Sequence, residues 1–503
     1  MDKVNNVQSV LDELKKSLGT PLGDDQLASM GLQKATFNQP GSATTGLNYY
    51  DLEAGAKFLV PVLTPLRNEI PRVSGRGGTQ ANWRAITGIN TGKIRIGVSE
   101  GNRGGVIDVT TQDYLAVYRG IGLEGSATFE ADYAAQGFDD VRAQAGMRTL
   151  QSLMIGEEST ILGGNGTLAL GTTATPSLSA STSGGSLATS TQSVICVALT
   201  LDGFLNASVA GGIQASITRT NPDGSSDTHG GGCAQKSAAA SQAVTGPTAS
   251  ISTTVTAKTN AVGYAWFWGT AGNETLGAIT TINSIVITAA ATGTQLASAL
   301  PSSDQSQNTL VFDGLITMCN KNLGSYVKTL ATGTAGTGTP LTGDGAGGIV
   351  EIDDALQSFW DNYKLSPDTI WVSSQEAKNV SRKILAGNSN AAQRFVFQSV
   401  QDSIGGGVMV RSYLNRFSMS GGKEIPIRIH PNLPNGTLLF TSMSIPYQLS
   451  GVNNVIQVKT RKEYYQVEWP LRTRKYEYGV YADEVLQHYF PASMGIITNI
   501  GNG

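Results

Sequence analysis

The feature that most constrains the fold of this chain is an abrupt loss of charge in its middle third. Residues 165–308 contain only eight charged side chains, and Ser, Thr, Gly and Ala predominate there. The segments on both sides mix charged residues with apolar periodicity. The 503 residues are also too many for one compact core. We therefore interpret residues 166–308 as a separate domain inserted into a longer one.

The inserted segment has the pattern of a small all-β domain. Turn residues such as Asn221-Pro-Asp-Gly separate short runs that favour strands. Several short strands with regular turns predict a β-sandwich. The Ser/Thr-rich flanks at 171–185 and 299–307 read as linkers. The predicted strands are 193–200, 214–219, 248–257, 263–269 and 280–288.

Three aromatic residues of this segment, Tyr264, Trp266 and Trp268, share one face of a predicted strand. One interpretation places them in the core of the sandwich, since large aromatic side chains dominate cores. The other makes them an aromatic cluster on the outer surface, which would suit a carbohydrate. The sequence leaves both interpretations open.

Residues 59–118 predict an extended hairpin that is rich in basic residues. Runs 81–87 and 93–99 look like strands joined by the glycine-containing turn 88–92. A two-stranded hairpin is barely stable alone in water, so it needs another surface. Its mixed charges suit salt bridges between subunits, with contact to nucleic acid as the alternative. The candidate contact residues are Arg67, Arg72, Arg76, Arg84, Lys93, Arg95 and Arg103.

The remaining segments predict an α+β protein. Residues 1–58 read as an N-terminal arm, which cannot fold alone. A long helix is expected over 139–162, with Ala143, Met147, Leu150, Met154 and Ile161 on its apolar stripe. Residues 309–460 are mixed, with helices at 350–363 and 374–385 and strands at 369–373, 407–413, 425–429 and 437–441. Residues 461–500 favour further strands.

The residues give no support to an enzyme, a cofactor or a metal site. The three cysteines and three histidines show no zinc spacing, and no GxSxG elbow occurs. Residues 343–348 fit GxGxxG, but no buried strand precedes them, so we expect a flexible loop rather than a phosphate site. The net charge of −3 argues against nucleic-acid binding by the whole chain. We also expect no signal peptide and no transmembrane helix.

Several long stretches carry a family resemblance. TPLRNEIPRVSGRGGTQANWRAITGIN (64–90), TLQSLMIGEESTILGGN (149–165) and WPLRTRKYEYGVYADEVLQHYFPASMGIITNI (469–500) resemble HK97-like major capsid proteins of tailed bacteriophages. The resemblance implies an N-arm (1–58), an E-loop (59–118), a peripheral domain with a spine helix (119–165, 309–325 and 461–503) and an axial domain (326–460). The segment 166–308 would be an Ig-like or fibronectin-like insertion.

The same resemblance implies a function in a virion. The chain would assemble with itself into hexamers and pentamers of an icosahedral shell around double-stranded DNA, with weak non-specific DNA contact on the inner face. A separate scaffolding protein, a portal and decoration proteins would be partners, without any membrane, and assembly would take place in the host cytoplasm. Lys93 is the one hairpin lysine that a covalent cross-link would use, but we expect non-covalent contacts. The alternatives are an encapsulin-like protein compartment and, in another class, a Ser/Thr-rich surface adhesin.

Overall fold

The computed structural model of the chain describes residues 57–90, 92, 95–137, 139–221, 223–300, 302–386, 409–419 and 421–503. Two units are distinguished by their internal packing: Met1–Val60 with Tyr133–Asp140, and Pro61–Asp132 with Val141–Gly503. Of the first unit, only 57–60, 133–137, 139 and 140 are described, and the predicted arm otherwise lies outside the described residues.

The described elements make an α+β protein, as predicted. The helices are α1 (Pro65–Glu69), α2 (Phe129–Ala135), α3 (Val141–Gly163), α4 (Leu201–Leu205), α5 (Leu315–Asn320), α6 (Val350–Tyr363) and α7 (Ser374–Ala386), with 3-10 turns at Ala297–Ala299 and Pro491–Ser493. The strands are β1 (Arg72–Ser74), β2 (Gln80–Ile89), β3 (Val109–Val117), β4 (Arg119–Thr128), β5 (Ser177–Ser181), β6 (Ser190–Leu199), β7 (Ser216–Thr220), β8 (Ser226–Gly230), β9 (Ala240–Val244), β10 (Ser250–Thr254), β11 (Gly263–Gly269), β12 (Thr275–Thr280), β13 (Ser284–Ile287), β14 (Tyr326–Thr329), β15 (Thr369–Val372), β16 (Ser412–Asn415), β17 (Lys423–Ile429), β18 (Leu438–Thr441), β19 (Ile456–Glu468), β20 (Lys475–His488) and β21 (Gly495–Thr498).

A four-stranded sheet packs against the long helix. Its order is β1-β19-β20-β4, with β1 parallel to β19 and the other pairs antiparallel. The predicted long helix is confirmed as α3, which is roughly 35 Å long at 1.5 Å per residue. The predicted stripe is wrong in its first half, because Ala143 and Met147 are exposed. The buried residues of α3 are Thr149, Leu153, Glu157, Glu158, Ile161, Leu162 and Gly163.

A mixed six-stranded sheet accounts for the second core. Its order is β14-β21-β18-β15-β17-β16, so the C-terminal strand β21 lies between β14 and β18. Helix α6 has the predicted bounds and buries Ile352 and Leu356, but Phe359 is buried where the predicted stripe had Trp360. The residue that ends α6, Lys364, takes a left-handed conformation with φ of 52°, which stops the helix.

The inserted segment forms two facing antiparallel sheets. The three-stranded sheet has the order β13-β10-β5, and the four-stranded sheet has the order β12-β11-β6-β9. Side chains from both sheets form one core, which includes Ile251, Ile287, Cys196 and Trp266. The opposite face of the four-stranded sheet packs against other residues of the segment, including Ile213 and Leu300. This burial of both faces explains why β6 is a nearly continuous apolar run.

The predicted linkers of the insertion are wrong. Strand β5 lies inside 171–185 and pairs with β10. In the second predicted linker, Gln305 forms a β-bridge to Cys233, and the backbone carbonyl of Ser306 accepts from Asn165 Nδ2 at 2.9 Å. Serine and threonine in these stretches hydrogen-bond within the sandwich, so their composition alone does not indicate a linker.

Candidate functional site

The extended hairpin is largely exposed to solvent. Strands β2 and β3 pair only with each other among the described strands. Apolar side chains along the hairpin and its connecting loop are open to solvent, with exposed fractions of 64% for Ile86, 67% for Ile89 and 95% for Ile96. We call Ile86, Ile89, Ile96, Val106 and Leu115 the hairpin apolar surface.

The pairing of the hairpin differs from the prediction. The partner of β2 is β3 rather than 93–99, and the predicted turn at 88–92 is wrong because the strand continues through Gly88 to Ile89. Asn90 then takes a φ of 55° and donates its backbone N–H to Asp108 O at 2.8 Å. The sequence Val109-Thr-Thr contains three β-branched residues, which favour a strand more than the glycine- and charge-rich 93–99.

Aromatic contacts fix the root of the hairpin to the body. The rings of Trp83 and Tyr114 stack across the two strands with centroids 5.6 Å apart. Trp83 also meets Tyr489 edge-on at 5.8 Å. Ala81, at the start of β2, is buried in the main core. The hairpin therefore has a packed root and an exposed outer part.

A buried charge cluster includes arginines of the segment that precedes the hairpin, and its centre is Glu157 of α3. Arg67 donates through Nε to Glu157 Oε2 at 3.0 Å, and Arg72 and the hydroxyl of Tyr464 also bond to this carboxylate. The ring of Tyr464 lies 4.9 Å from the Arg72 guanidinium carbon. Glu157 is buried, so these partners compensate a charge that would otherwise be costly to remove from water.

Two further buried carboxylates extend the cluster. Arg72 Nη1 donates to Glu484 Oε2 at 2.9 Å. Burial raises the pKa of Glu484, and the charge of Arg72 opposes that shift. Glu158 accepts the backbone N–H groups of Leu66 at 2.9 Å and Arg67 at 2.7 Å. The cluster thus joins α3, the segment leading to the hairpin, β19 and β20.

Histidine 430 completes the environment of Glu158. Its Nε2 lies 2.7 Å from Glu158 Oε1, and its Nδ1 accepts the Asn432 backbone N–H at 3.1 Å. Both ring nitrogens are therefore occupied by structural contacts, and both side chains are fully buried. This arrangement binds segments together and offers no group to a substrate.

The predicted contact arginines divide into three groups. Arg67 and Arg72 belong to the buried charge cluster, so the prediction that they pair between subunits is corrected. Arg84 forms an exposed pair with Asp113 on the neighbouring strand, at 2.6 Å. Lys93 lies outside the described residues. Those that stay exposed and without an ion-pair partner in the described part of the chain are Arg76, Arg95 and Arg103.

The aromatic residues of the insertion are core residues, and the prediction of an outer-surface cluster is wrong. Tyr264 and Trp268 are buried and Trp266 has no exposed surface. The indole N–H of Trp266 donates to Thr280 Oγ1 at 2.8 Å, and that of Trp268 donates to Ala289 O at 2.9 Å. The cluster faces the second sheet, where burial of its large apolar area stabilises the sandwich.

The glycine-rich loop at 343–348 forms a hydrogen-bonded turn. Asp344 Oδ1 accepts the backbone N–H groups of Ala346 at 2.7 Å and Gly348 at 2.6 Å, and Arg416 bonds to Oδ2 at 2.7 Å. Burial acts to raise the pKa of Asp344, but the bonds from Arg416 and from these N–H groups lower it to about 2. A carboxylate already fills the place that a phosphate would need. The expectation of a loop without a phosphate site is consistent with this geometry.

The described residues offer neither a metal-binding cluster nor a membrane-spanning helix. No group of three or more His, Cys, Asp or Glu side chains there could hold a metal ion. None of the helices described is long and apolar enough to span a membrane. The three cysteines are buried and unpaired.

The buried charge cluster includes residues that sequence reasoning missed. Glu157, Glu158, Tyr464 and Glu484 were not singled out, although Arg67 and Arg72 were. The available signal was the pair of adjacent carboxylates on the long helix, because residues 153, 157 and 161 share one helical face. Glu157 and Ile161 on one face would have indicated a buried charge that needs a cation.

Comparison with known proteins gave structural matches only. No family profile matches the chain, and no curated protein matches it. The capsid of an empty GTA particle is 9% identical, with a TM-score of 0.42 over 92% of this chain and 99% of the other. A structure from Mycobacterium phage Bobi is 9% identical, with a TM-score of 0.38 over 95% and 98%. The SrpI encapsulin complex of Synechococcus elongatus PCC 7942 is 8% identical, with a TM-score of 0.37 over 89% and 93%.

Proposed function

We propose that this chain is a shell-forming subunit, the major capsid protein of a tailed bacteriophage. The observation that carries the proposal is the exposed hairpin with its apolar surface. Isolated hairpins are marginal in water, and this hairpin exposes several large apolar side chains that a partner could cover. A second copy of the chain is the partner that the proposal requires. The sequence resemblance at 64–90, 149–165 and 469–500 supports the same function.

The buried charge cluster supports the proposal in a second way. A hairpin can hold a neighbouring subunit in a fixed orientation only if its own base is anchored to the rest of its subunit. Arg67 and Arg72 lie just before the hairpin, and their carboxylate partners lie on α3 and β20. The packed root therefore presents the outer hairpin in a defined direction, which lowers the entropy lost on association.

We propose that the copies form hexamers and pentamers of an icosahedral shell that encloses double-stranded DNA. Scaffolding and portal proteins, and decoration proteins on the outside, would be the further partners, and the shell would be assembled in the host cytoplasm. Arg76, Arg95 and Arg103 would then form salt bridges to neighbouring copies, and the chain would have no catalytic role.

The competing hypotheses make different predictions for purified particles. Shells that contain a cargo protein and no DNA would favour the encapsulin-like compartment. An adhesin would need the Ser/Thr-rich sandwich to present an exposed aromatic cluster, and the burial of Tyr264, Trp266 and Trp268 leaves that cluster unavailable to a ligand.

The proposal is tested by removing the hairpin apolar surface. In the full-length chain, Ile86→Ser, Ile89→Ser and Ile96→Ser are combined and particles are counted by electron microscopy. We expect shells to be lost while the thermal unfolding midpoint is unchanged, because exposed side chains contribute little to the subunit core. Leu205→Ser, an exposed apolar position of the sandwich, is the control and should leave shells intact. Normal shells from the triple variant would contradict the proposal.

A further inference from the structure

A cavity of about 140 Å³ lies at the root of the hairpin, between β3 and β20. An apolar cavity of about 150 Å³ accommodates a benzene molecule, so this space is large enough for a small organic group. Its walls are mostly apolar and include Leu115, Val117, Phe312, Met318 and Leu486. The cavity shares no residue with the buried charge cluster and shares only Leu115 with the hairpin apolar surface.

Two hydrogen-bond donors without partners line this cavity. Trp83 Nε1 and His488 Nε2 are both buried and have no hydrogen-bond partner among the described residues. The indole nitrogen of tryptophan can only donate. His488 Nδ1 accepts the Phe490 backbone N–H at 3.1 Å, so the proton of the neutral ring is on Nε2. Burial lowers the pKa of His488 to about 3, which keeps the ring neutral at neutral pH.

The charges around the cavity favour an anion. Arg119 lines it, is half-buried and has no ion-pair partner in the described chain. Lys321 and Asp313 also line it, but they pair with each other. Asp313 accepts in addition from the backbone N–H of Gly166 at 2.8 Å and the hydroxyl of Thr167 at 2.8 Å. Arg119 is thus the uncompensated charge.

We propose that this cavity binds a carboxylate attached to a small apolar group. A carboxylate has two acceptor oxygens with several lone pairs, which is enough acceptor capacity for the donors that Trp83, His488 and Arg119 contribute to the cavity lining. The apolar group attached to the carboxylate would pack against the apolar walls of the cavity. The carboxylate comes either from a free small acid or from an Asp or Glu side chain of a second copy of the chain. Neither the donors nor the cavity depends on the proposed function.

Benzoate is the probe, titrated calorimetrically into the unassembled full-length chain at low salt, with benzylamine as the matched cation. We expect saturable binding of benzoate and none of benzylamine. Trp83→Phe keeps the ring and removes the donor, and Arg119→Gln removes the charge. Each should weaken binding about tenfold or more, since hydrogen bonds to charged groups contribute strongly. Arg219→Gln changes an exposed arginine outside the cavity and outside the proposed contact set, and it should leave affinity unchanged.

The opposite results would overturn the proposal. If benzoate does not bind, or binds no better than benzylamine, or binds Trp83→Phe and Arg119→Gln as tightly as the unchanged chain, the two donors are satisfied by water only. Thermal unfolding of each variant checks that it is folded. If Trp83→Phe does not fold, the result with Arg119→Gln decides the test. The same titration on assembled particles identifies the source. Binding there as well indicates a free acid, and binding only to the unassembled chain indicates that a neighbouring copy fills the cavity.

Discussion

Adjacent carboxylates on a buried helical face are the residue-scale feature on which this subunit depends. Glu157 and Glu158 bond to different partners, since Glu157 meets Arg67, Arg72 and Tyr464 whereas Glu158 accepts two backbone N–H groups and contacts His430. Removing one partner from a buried ionic cluster leaves the others uncompensated, which is more harmful than replacing the whole cluster. The cluster is therefore a structural requirement and a sensitive point for substitution.

Glu157→Gln should strongly destabilise the subunit. The amide keeps the shape but removes the charge that compensates Arg67 and Arg72, and breaking a buried pair costs about 3–5 kcal/mol. Urea denaturation should show a lower free energy of unfolding. Asp113→Asn is the matched control, because it breaks the exposed pair with Arg84, and it should shift the midpoint little. Equal effects of the two substitutions would show that Glu157 is not a buried structural charge.

Acid should weaken the turn at 343–348 in a defined window. The pKa of Asp344 is about 2 in the folded chain against an ordinary value of 3.8, so the folded state holds the ionised form more strongly. Its contribution to stability is complete above about pH 4 and is lost as the pH falls towards 2. The thermal unfolding midpoint is measured between about pH 5 and pH 2, which is roughly the range in which carboxyl groups titrate. This midpoint should depend less on pH in Asp344→Asn than in the unchanged chain. An unchanged pH profile would contradict this account.

At the scale of elements, the sequence predicted positions better than partners. The bounds of α6 and β11 match their predictions, because helical periodicity and a short apolar run between glycines are local signals. The partner of β2 was wrong because pairing is set by register between distant residues. The predicted face of α3 was wrong in its first half, and its buried side includes Glu157, whose burial depends on arginines elsewhere in the chain.

The candidate site was only partly predictable for the same reason. The composition and length of residues 59–118 were enough to predict a basic hairpin that needs a partner surface. Whether an arginine pairs within the chain or remains exposed depends on tertiary contacts, and Arg72 and Arg76 differ in this although they are four residues apart. Similarly, a face of three aromatic residues has the same pattern whether it faces a second sheet or solvent.

The inserted sandwich is packed against the main core. Leu201 and Val262 of the insertion belong to the same buried cluster as Leu66 and Leu162. A Cβ atom at Gly163 would lie 2.5 Å from Leu201 Cδ2, so α3 and the insertion approach closely. Asn283 of the insertion also bonds to residues outside it, because its backbone N–H donates to Asn499 Oδ1 at 2.9 Å and its side-chain Nδ2 donates to Thr332 Oγ1 at 2.9 Å.

Excision of 172–300 with a short Gly/Ser join should therefore destabilise the rest of the subunit. It removes Leu201 and Val262 from the main core, and loss of buried apolar side chains costs about 2–5 kcal/mol each. The comparison is excision of 218–228, the exposed outer part of the β7–β8 hairpin, which should leave stability unchanged. The solubility and the urea unfolding midpoint of each shortened chain are measured. A fully stable product of the larger excision would show that the sandwich is an independent unit.

At the scale of the whole molecule, exposed charges should control assembly separately from folding. Arg76, Arg95 and Arg103 are exposed and contribute nothing to the buried charge cluster. Their combined reversal to Glu should slow or prevent association, because like charges placed against a neighbour oppose it, while thermal unfolding stays unchanged. Arg219→Glu, an exposed arginine of β7, is the control and should not affect association. Light scattering during assembly gives the rate, and an unaltered rate for the triple variant would refute the role of these arginines.

The central claim is that this chain builds a closed shell from copies of itself. The most direct measurement is electron microscopy of the purified full-length protein, expressed alone and together with a scaffolding protein. The account predicts large closed shells of uniform size. A stable monomer at high protein concentration, found under both conditions and verified by sedimentation velocity, would contradict it.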